Sequence, residues 1–381
     1  MSIWILRGVL SLAVLAWLVG LLKIIRNKRT RKWVVGPGEL SLSEEVLVSV
    51  VIPARNEEGN IGRCLSRVLA QTHKNIQVVV LDDASSDGTK SEIEKAAQGD
   101  DRVKVLHGGE EPPEGWFGKP WALQRAQAHA KGEWLVFVDA DVRLEPEAVA
   151  SVVGYGIANE RDMVSGIGRL VLESFWERVM QPAVAGLILA GNDLDHVNDP
   201  ERPNSVMANG QFIAVRREAY DKIEGHGAVA GNVLDDVGLA KAMVESEGKY
   251  SFLVLRELFS CRMYTSFAEI WAGWSKNLFA GMNYSWPTLI AVEIWLFIQV
   301  LSGPCLLIAS IFYAVPMEWT IWGACLVALM QVVRFEMDRI WGLKKLYGLT
   351  HAPSNIILMA LIFNSGISQR KGVKWKGRVV R

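Results

Sequence analysis

The stretch Trp134-Leu135-Val136-Phe137-Val138-Asp139-Ala140-Asp141 decides the fold. A continuous apolar run of aromatic and β-branched residues reads as a buried strand, and here it stops at two acids. Residues 46–52, 76–81 and 103–106 read as strands in the same way. Helical spacing separates them at 60–69, 89–97 and 121–130, and residues 108–120 form a loop rich in Gly and Pro. Strands alternating with helices predict an α/β domain with a mostly parallel sheet. Such sheets bind ligands beyond the carboxyl ends of their strands. Three polar segments fall at strand ends: Pro53-Ala54-Arg55-Asn56-Glu57-Glu58, Asp82-Asp83-Ala84-Ser85-Ser86-Asp87-Gly88, and Asp139-Ala140-Asp141.

Their residue types suit a nucleotide. Side chains alternate along a strand, so Asp139 and Asp141 share a side if the extended conformation persists. Two carboxylates there hold a hard cation, Mg2+ or Mn2+, and leave positions for phosphate oxygens. Asp82 or Asp83 accepts hydrogen bonds from a base or ribose, while Ser86 to Gly88 turns the chain. Helix capping and turn formation use the same residue types, so these segments stay open until considered together.

The apolar residues concentrate toward the ends. Half of the 381 residues are hydrophobic, 22% are charged, mean hydropathy is +0.18 and formal net charge is zero. Zero net charge argues against a nucleic-acid binder. The four cysteines, Cys64, Cys261, Cys305 and Cys325, form no CxxC pair, which indicates neither a disulfide framework nor a zinc site. Residues 4–25 are long enough to cross a bilayer core of about 30 Å. Arg26, Lys28, Arg29, Arg31 and Lys32 follow the apolar run, which reads as an uncleaved anchor with its basic end in the cytoplasm. Residues 289–313 and 318–333 read as a hairpin, kinked at Pro304 and turning at Val315-Pro316. Residues 355–367 are apolar but short, and a basic tail follows. An interfacial or re-entrant helix is expected there. The expected organisation is an anchor at 1–26, a basic linker at 27–45, a catalytic domain at 46–260, interfacial amphipathic helices at 261–286, a transmembrane hairpin at 287–335, and the last helix with its tail at 336–381. No GxGxxG follows the first strand, so a Rossmann dehydrogenase is disfavoured.

Taken in order, Val-Val-Ile-Pro-Ala-Arg-Asn-Glu-Glu, Asp-Asp-Ala-Ser-Ser-Asp-Gly-Thr and Asp-Ala-Asp resemble the family 2 glycosyltransferases, whose nucleotide-binding domain has the GT-A fold. Gly115-Trp116-Phe117-Gly118-Lys119-Pro120-Trp121-Ala122-Leu123 looks like a segment of a membrane subgroup with hopanoid-associated, carotenoid and ceramide glucosyltransferase-like members. The resemblance runs from about Val48 to Asn277.

It implies roles residue by residue. Pro53, Ala54, Arg55, Glu57, Asp82 and Asp83 match the nucleotide site. Asp139, Ala140 and Asp141 match the metal and diphosphate motif, and Lys119 a lysine near the diphosphate. Gly210 and Gln211 resemble the floor of the sugar pocket. Leu234-Asp235-Asp236-Val237-Gly238-Leu239-Ala240 looks like a Glu-Asp-x-x-Leu-Ala segment, which makes Asp236 the general base. Asp235 stands where the family has Glu, as an orienting group or a helix cap. His226, Trp274, Lys276, Trp375 and Arg378 are candidates for acceptor or diphosphate contacts, with a packed loop histidine as the plain alternative for His226. The processive Gln-x-x-Arg-Trp motif is absent from residues 270–277, which favours transfer of a single sugar. The expected reaction is inverting transfer from a nucleotide-diphosphate sugar, a UDP-sugar first, to a membrane lipid of carotenoid, hopanoid, sterol, glycerolipid or ceramide type. A polyprenyl-phosphate acceptor and a non-catalytic nucleotide-binding subunit are the competing readings.

Overall fold

A computed structural model describes residues 3–30, 32–109, 111–202, 205–369, 373–375 and 378–380; for 27–30 and for those beyond 369 it describes the backbone alone. After α1 (Ile3–Thr30) come β1 (Val48–Ala54), α2 (Ile61–Leu69), β2 (Ile76–Asp83), α3 (Thr89–Ala97), β3 (Val103–Gly108), α4 (Gly118–Gln127) and β4 (Trp134–Val138). This is the alternation read from the sequence, with one difference. Lys119 and Pro120 lie in the first turn of α4, not in the preceding loop. Proline is tolerated there because the first turn's N–H groups have no intrahelical acceptor.

The chain continues through β5 (Val142–Leu144), α5 (Ala148–Ala158), β6 (Met163–Ile167), β7 (Arg169–Leu170), α6 (Phe175–Gly191), α7 (Leu194–Val197), β8 (Phe212–Arg216), α8 (Arg217–Lys222), α9 (Asp235–Glu245), β9 (Tyr250–Val254) and β10 (Phe259–Cys261). The main sheet has seven strands in the order β3-β2-β1-β4-β8-β6-β9. Its first four strands are parallel, and β8 runs antiparallel to both β4 and β6. Alternation divides the core. Val48, Val50 and Ile52 face α2 and α5 on one side; Val51, Leu135 and Phe137 face α4, α8 and α9 on the other. Burying both faces is what makes these strands uniformly apolar. A small sheet, β5-β10-β7, closes the end where β4 stops.

The remaining helices are α10 (Phe267–Gly281), α11 (Trp286–Leu296), α12 (Ser302–Phe312), α13 (Met317–Ile340) and α14 (His351–Gln369). One π-helical turn, Phe297–Leu301, joins α11 to α12 just ahead of Pro304. A shifted hydrogen-bond register there absorbs the missing N–H of the proline. The described residues hold four helices long and apolar enough to cross a membrane: Ile3–Arg26, Trp286–Phe312, Met317–Ile340 and Lys345–Gln369. The last is longer than the run read from the sequence, because a 3-10 turn from Lys345 and a polar first turn of α14 extend it.

One set of contacts joins α1 to the sheet domain and another joins α14 to α10. Lys23 reaches Asp193 at 2.7 Å, while Arg26 and the Trp33 indole N–H each reach Asp195 at 2.9 Å. Exposed pairs are individually weak, so this clamp works as a network. At the other contact, the Ser365 hydroxyl of α14 donates to the Ser275 carbonyl at 2.6 Å and accepts from the Phe279 N–H at 2.9 Å. Gln369 donates to the Lys276 carbonyl at 3.2 Å.

Candidate active site

The loops after β1 and β2 are laced together. The Asn56 N–H donates to Ser85 Oγ at 2.9 Å, and Asn56 Oδ1 accepts from the Ser86 N–H at 2.9 Å. The Glu57 N–H donates to Thr89 Oγ1 at 2.7 Å, and Glu58 Oε2 accepts from the Gly88 N–H at 2.8 Å. Asn56 and Ala84 both adopt left-handed backbone, with φ of 52° and 54°. For Ala84 that conformation is unfavourable by about 1 kcal/mol or more, and the lacing holds it. Pro53 and Ala54 end β1. Arg55 donates to the Asp83 carbonyl at 2.5 Å, and its guanidinium lies 3.8 Å from the Asp83 carboxylate. Asp82 and Asp83 are 5% and 3% exposed at the end of β2. Glu57 accepts from the Asn60 amide at 2.9 Å. The segment read as a nucleotide site is thus a preformed double loop.

Extended structure does not persist through Asp139-Ala140-Asp141. The strand stops at Val138, and the Val142 N–H donates to the Asp139 carbonyl at 3.1 Å, closing a turn. The two carboxylates therefore diverge from strand alternation. Asp139 meets Lys119 at 2.6 Å, while Asp141 bonds the Cys261 thiol. Ala140 between them is buried in the core. Cys64 on α2 donates its thiol to the Asp139 carbonyl at 3.6 Å. Burial raises the pKa of both thiols, and Asp141 and Asp139 raise it further, so the cysteines stay protonated packing groups around the turn.

Lys119 joins this turn to the acidic pair on α9. A Cβ on Gly210 would lie 3.0 Å from Lys119 Nζ and 3.4 Å from Asp236 Oδ2, so only glycine leaves that approach open. Asp236 Oδ2 accepts from the Gly210 N–H at 2.8 Å, and Oδ1 from the Val237 N–H at 2.8 Å. Burial, then Asp235, push the Asp236 carboxyl from 3.8 up to about 6, against the pull of Lys119 and the two N–H donors. Burial disfavours the charge on Lys119, but Asp139, Asp235 and Asp236 outweigh it and keep the ammonium protonated. Asp235 is buried in the first turn of α9, whose N-cap position is Leu234 without a side-chain cap bond. Gln211 is buried beside Gly210; its side chain accepts from the Asn209 amide at 3.1 Å, and its carbonyl accepts from the Asp139 N–H at 3.3 Å. Lys276 enters the same electrostatic neighbourhood from α10. Burial lowers its pKa, and Asp235, Asp139 and Asp236 counter this while Lys119 reinforces it.

Other candidates lie elsewhere. His226 is 1% exposed, takes a hydrogen bond on Nδ1 from the Tyr220 hydroxyl at 2.6 Å, and packs edge-on to Phe137. Burial, and then the charge of Lys119, lower its pKa to about 3, so it is a neutral, buried histidine. Trp274 donates to Gln181 at 3.1 Å and packs against Tyr264. Trp375 and Arg378 sit on two short paired strands, and their side chains lie outside the described residues. Sequence reasoning missed Cys64, Cys261 and Tyr264, which surround the Asp139–Asp141 turn. Among the described residues no group of three or more His, Cys, Asp or Glu could hold a metal ion alone. Asp139 and Asp141 offer hard oxygen donors, the chemistry that suits a cation shared with phosphate oxygens.

Comparison with known proteins agrees with this architecture. Residues 49–224 match the profile of Glycosyl transferase family 2. Asp235 and Asp236 lie beyond that segment. The 4,4'-diaponeurosporenoate glycosyltransferase of Staphylococcus aureus (strain USA300) is 27% identical over 266 residues, 68% of this chain and 68% of that protein. A mannosyltransferase from Pyrobaculum calidifontis, solved in complex with GDP-Man and Mn2+, shares the fold. Its TM-score is 0.53 at 18% identity, over 96% of this chain and 99% of that one. With the double loop, the β4 turn and the seven-stranded mixed sheet in one domain, residues 49–224 carry a glycosyltransferase family 2 domain on the GT-A fold.

Proposed function

We propose that this enzyme moves one sugar, with inversion, from a nucleotide-diphosphate sugar to a hydroxyl of a membrane lipid. The observation that carries the reading is the convergence of Asp139, Lys119 and Asp236: Lys119 pairs with Asp139 at 2.6 Å, and Gly210, whose N–H holds the raised-pKa carboxyl of Asp236, leaves the space between Lys119 and Asp236 open. The nucleoside lies over the double loop against Asp82, Asp83 and Glu57, and a UDP-sugar is the favoured donor. Asp139 and Asp141 would hold Mg2+ or Mn2+, and that ion would supply charge neutralisation at the diphosphate. Lys119 faces the leaving diphosphate and stabilises the charge that grows on it. Asp236 takes the proton of the acceptor hydroxyl as the oxygen bonds to the anomeric carbon. The bond from that carbon to the diphosphate oxygen breaks, and the nucleoside diphosphate departs with the bonding pair. Asp235 raises the basicity of Asp236 through like charge.

Membrane placement supports the acceptor class. Four helices are long and apolar enough to embed the chain, and the basic residues near the ends of α1 and α13 favour a catalytic domain on the cytoplasmic side. α14 begins with His351 6.2 Å from Trp17, within α1, and ends on Lys276 beside the site. That course favours a re-entrant helix over a crossing. The name of the Staphylococcus relative, a carotenoid acid glycosyltransferase, points the same way. The test uses the full chain in vesicles made from lipid extracts, with nucleotide sugars labelled in the sugar. Label entering the lipid fraction, identified by mass spectrometry, is expected. Label released only as free sugar overturns the reading. A polyprenyl-phosphate product, formed equally well by Asp236→Asn, replaces it with the acceptor that needs no base.

A further inference from the structure

α11 and α14 run side by side in opposite directions, and an open groove of about 440 Å³ lies between them. Leu289, Ile294, Met359, Ala360 and Phe363 make it apolar, and a single carboxylate, Glu293, enters it. Ile294 and Phe363 are 55% and 54% exposed, so the groove opens outward to where lipid would lie. Glu293 Oε1 is buried without a hydrogen-bond partner. A carboxyl in an apolar span is costly and belongs with a function or a partner.

The groove and the site are joined by one helix, α14. Gly366 packs against Trp286 and Leu289, and Gln369 holds the Lys276 carbonyl. From Gln369, Phe363 lies about 9 Å and Met359 about 15 Å along the helix, at 1.5 Å per residue. A lipid in the groove therefore keeps one end near Lys276 and its body beside Glu293.

We propose that this groove seats the acceptor lipid, and that Glu293 recognises a hydroxyl or amide N–H on that lipid's body. The inference rests on the lipid-acceptor reading above. The oxygen without a partner specifies a hydrogen-bond donor, and the apolar walls specify a chain of hydrocarbon. A second copy of the chain would have to bring its own donor.

The full chain in phosphatidylcholine vesicles is exposed to a photoreactive long-chain alcohol and, separately, to its methyl ether. Labelling of α11 or α14 by the alcohol is expected to exceed that by the ether at least fivefold. Glu293→Leu should reduce the alcohol to the level of the ether, and Ala360→Trp, which fills the groove, should abolish both. Release of nucleoside diphosphate into water without acceptor should be unchanged in both variants. That control separates loss of the groove from loss of the transferase site. Equal labelling by alcohol and ether overturns the proposal, as does labelling that survives Ala360→Trp. Disulfide cross-linking of two copies through Ile294→Cys would also overturn it, by showing a second copy in the groove.

Discussion

Replacing Asp236 by Asn should destroy transfer and stabilise the fold in the same pH range. The Asp236 carboxyl is raised from 3.8 to about 6 by burial and by Asp235, so the fold favours its protonated form. That contribution is complete below about pH 4 and is lost as pH rises through about 6. Ionised at pH 8, the group carries a cost of up to about 3 kcal/mol. Asparagine removes the charge, yet it leaves one N–H donor poorly served and takes a favourable neighbour from Lys119. The expected net gain is about 1 kcal/mol, or about 2–4 °C in thermal midpoint at pH 8, with no gain at pH 4.5. Transfer should fall by about 10²–10⁴-fold, the usual contribution of a general base. Donor affinity should hold. Wild-type kcat/KM should climb about tenfold per pH unit below 6 and level off above it. The measurements are sugar transfer to lipid from pH 5 to 8.5, donor titration, and melts of both proteins in detergent. Asp236→Asn turning over within about threefold of wild type would refute the base assignment. A midpoint that falls at pH 8 would refute the electrostatic account.

Four further outcomes follow from the geometry. Lys119→Met should cut transfer by about 10²-fold or more, because it removes the cation facing the leaving group; steady-state kinetics at saturating donor measure this. Gly210→Ala introduces a Cβ 3.0 Å from Lys119 Nζ and 3.4 Å from Asp236 Oδ2, so kcat should drop about tenfold or more, with little change in melting. Chelation should abolish transfer, and Mn2+ or Mg2+ should restore it; Asp141→Ala should shift the metal titration to higher concentrations. Arg262→Met removes the cation bonded at 2.8 Å to Glu177, which is 1% exposed and keeps only the Glu173 and Ser174 N–H donors, so stability should fall by about 1.5–3 kcal/mol in denaturant melts.

The β1 to β4 half of the domain was legible because β1, β2 and β4 are buried on both faces and all four strands end in acids or turn residues. Trp134–Val138 matches its expected bounds, and β1, β2 and β3 fall within two residues at each end. The second half was not laid out strand by strand. β6 reads Met-Val-Ser-Gly-Ile, where Ser165 and Gly166 interrupt the apolar run, and the antiparallel placement of β8 depends on a long excursion through α6 and α7. Asp139, Lys119, Gly210 and Asp236 could be nominated from motifs, but their convergence is tertiary. The motif also hid a conformational fact, since the Asp139 turn breaks the alternation that its spacing implied. His226 shows the opposite limit. Its sequence neighbours are polar and turn-forming, and only the packing of Tyr220 and Phe137 reveals a core position. Cys64 and Cys261 flank one turn from distant parts of the chain, a relation that no local pattern carries.

The Ser365 hydroxyl has a mechanical consequence. It stands between the Ser275 carbonyl and the Phe279 N–H, two groups one helical turn apart on α10, and Lys276 belongs to that turn. The membrane helix and the lysine beside the acidic pair therefore move as one lever. On the re-entrant reading α14 keeps the depth of the bilayer face it enters, so a shift of that face is passed through the Ser365 bonds to the turn that carries Lys276. The distance between a lipid's headgroup plane and the reacting carboxylate is in this way set by the protein's own frame.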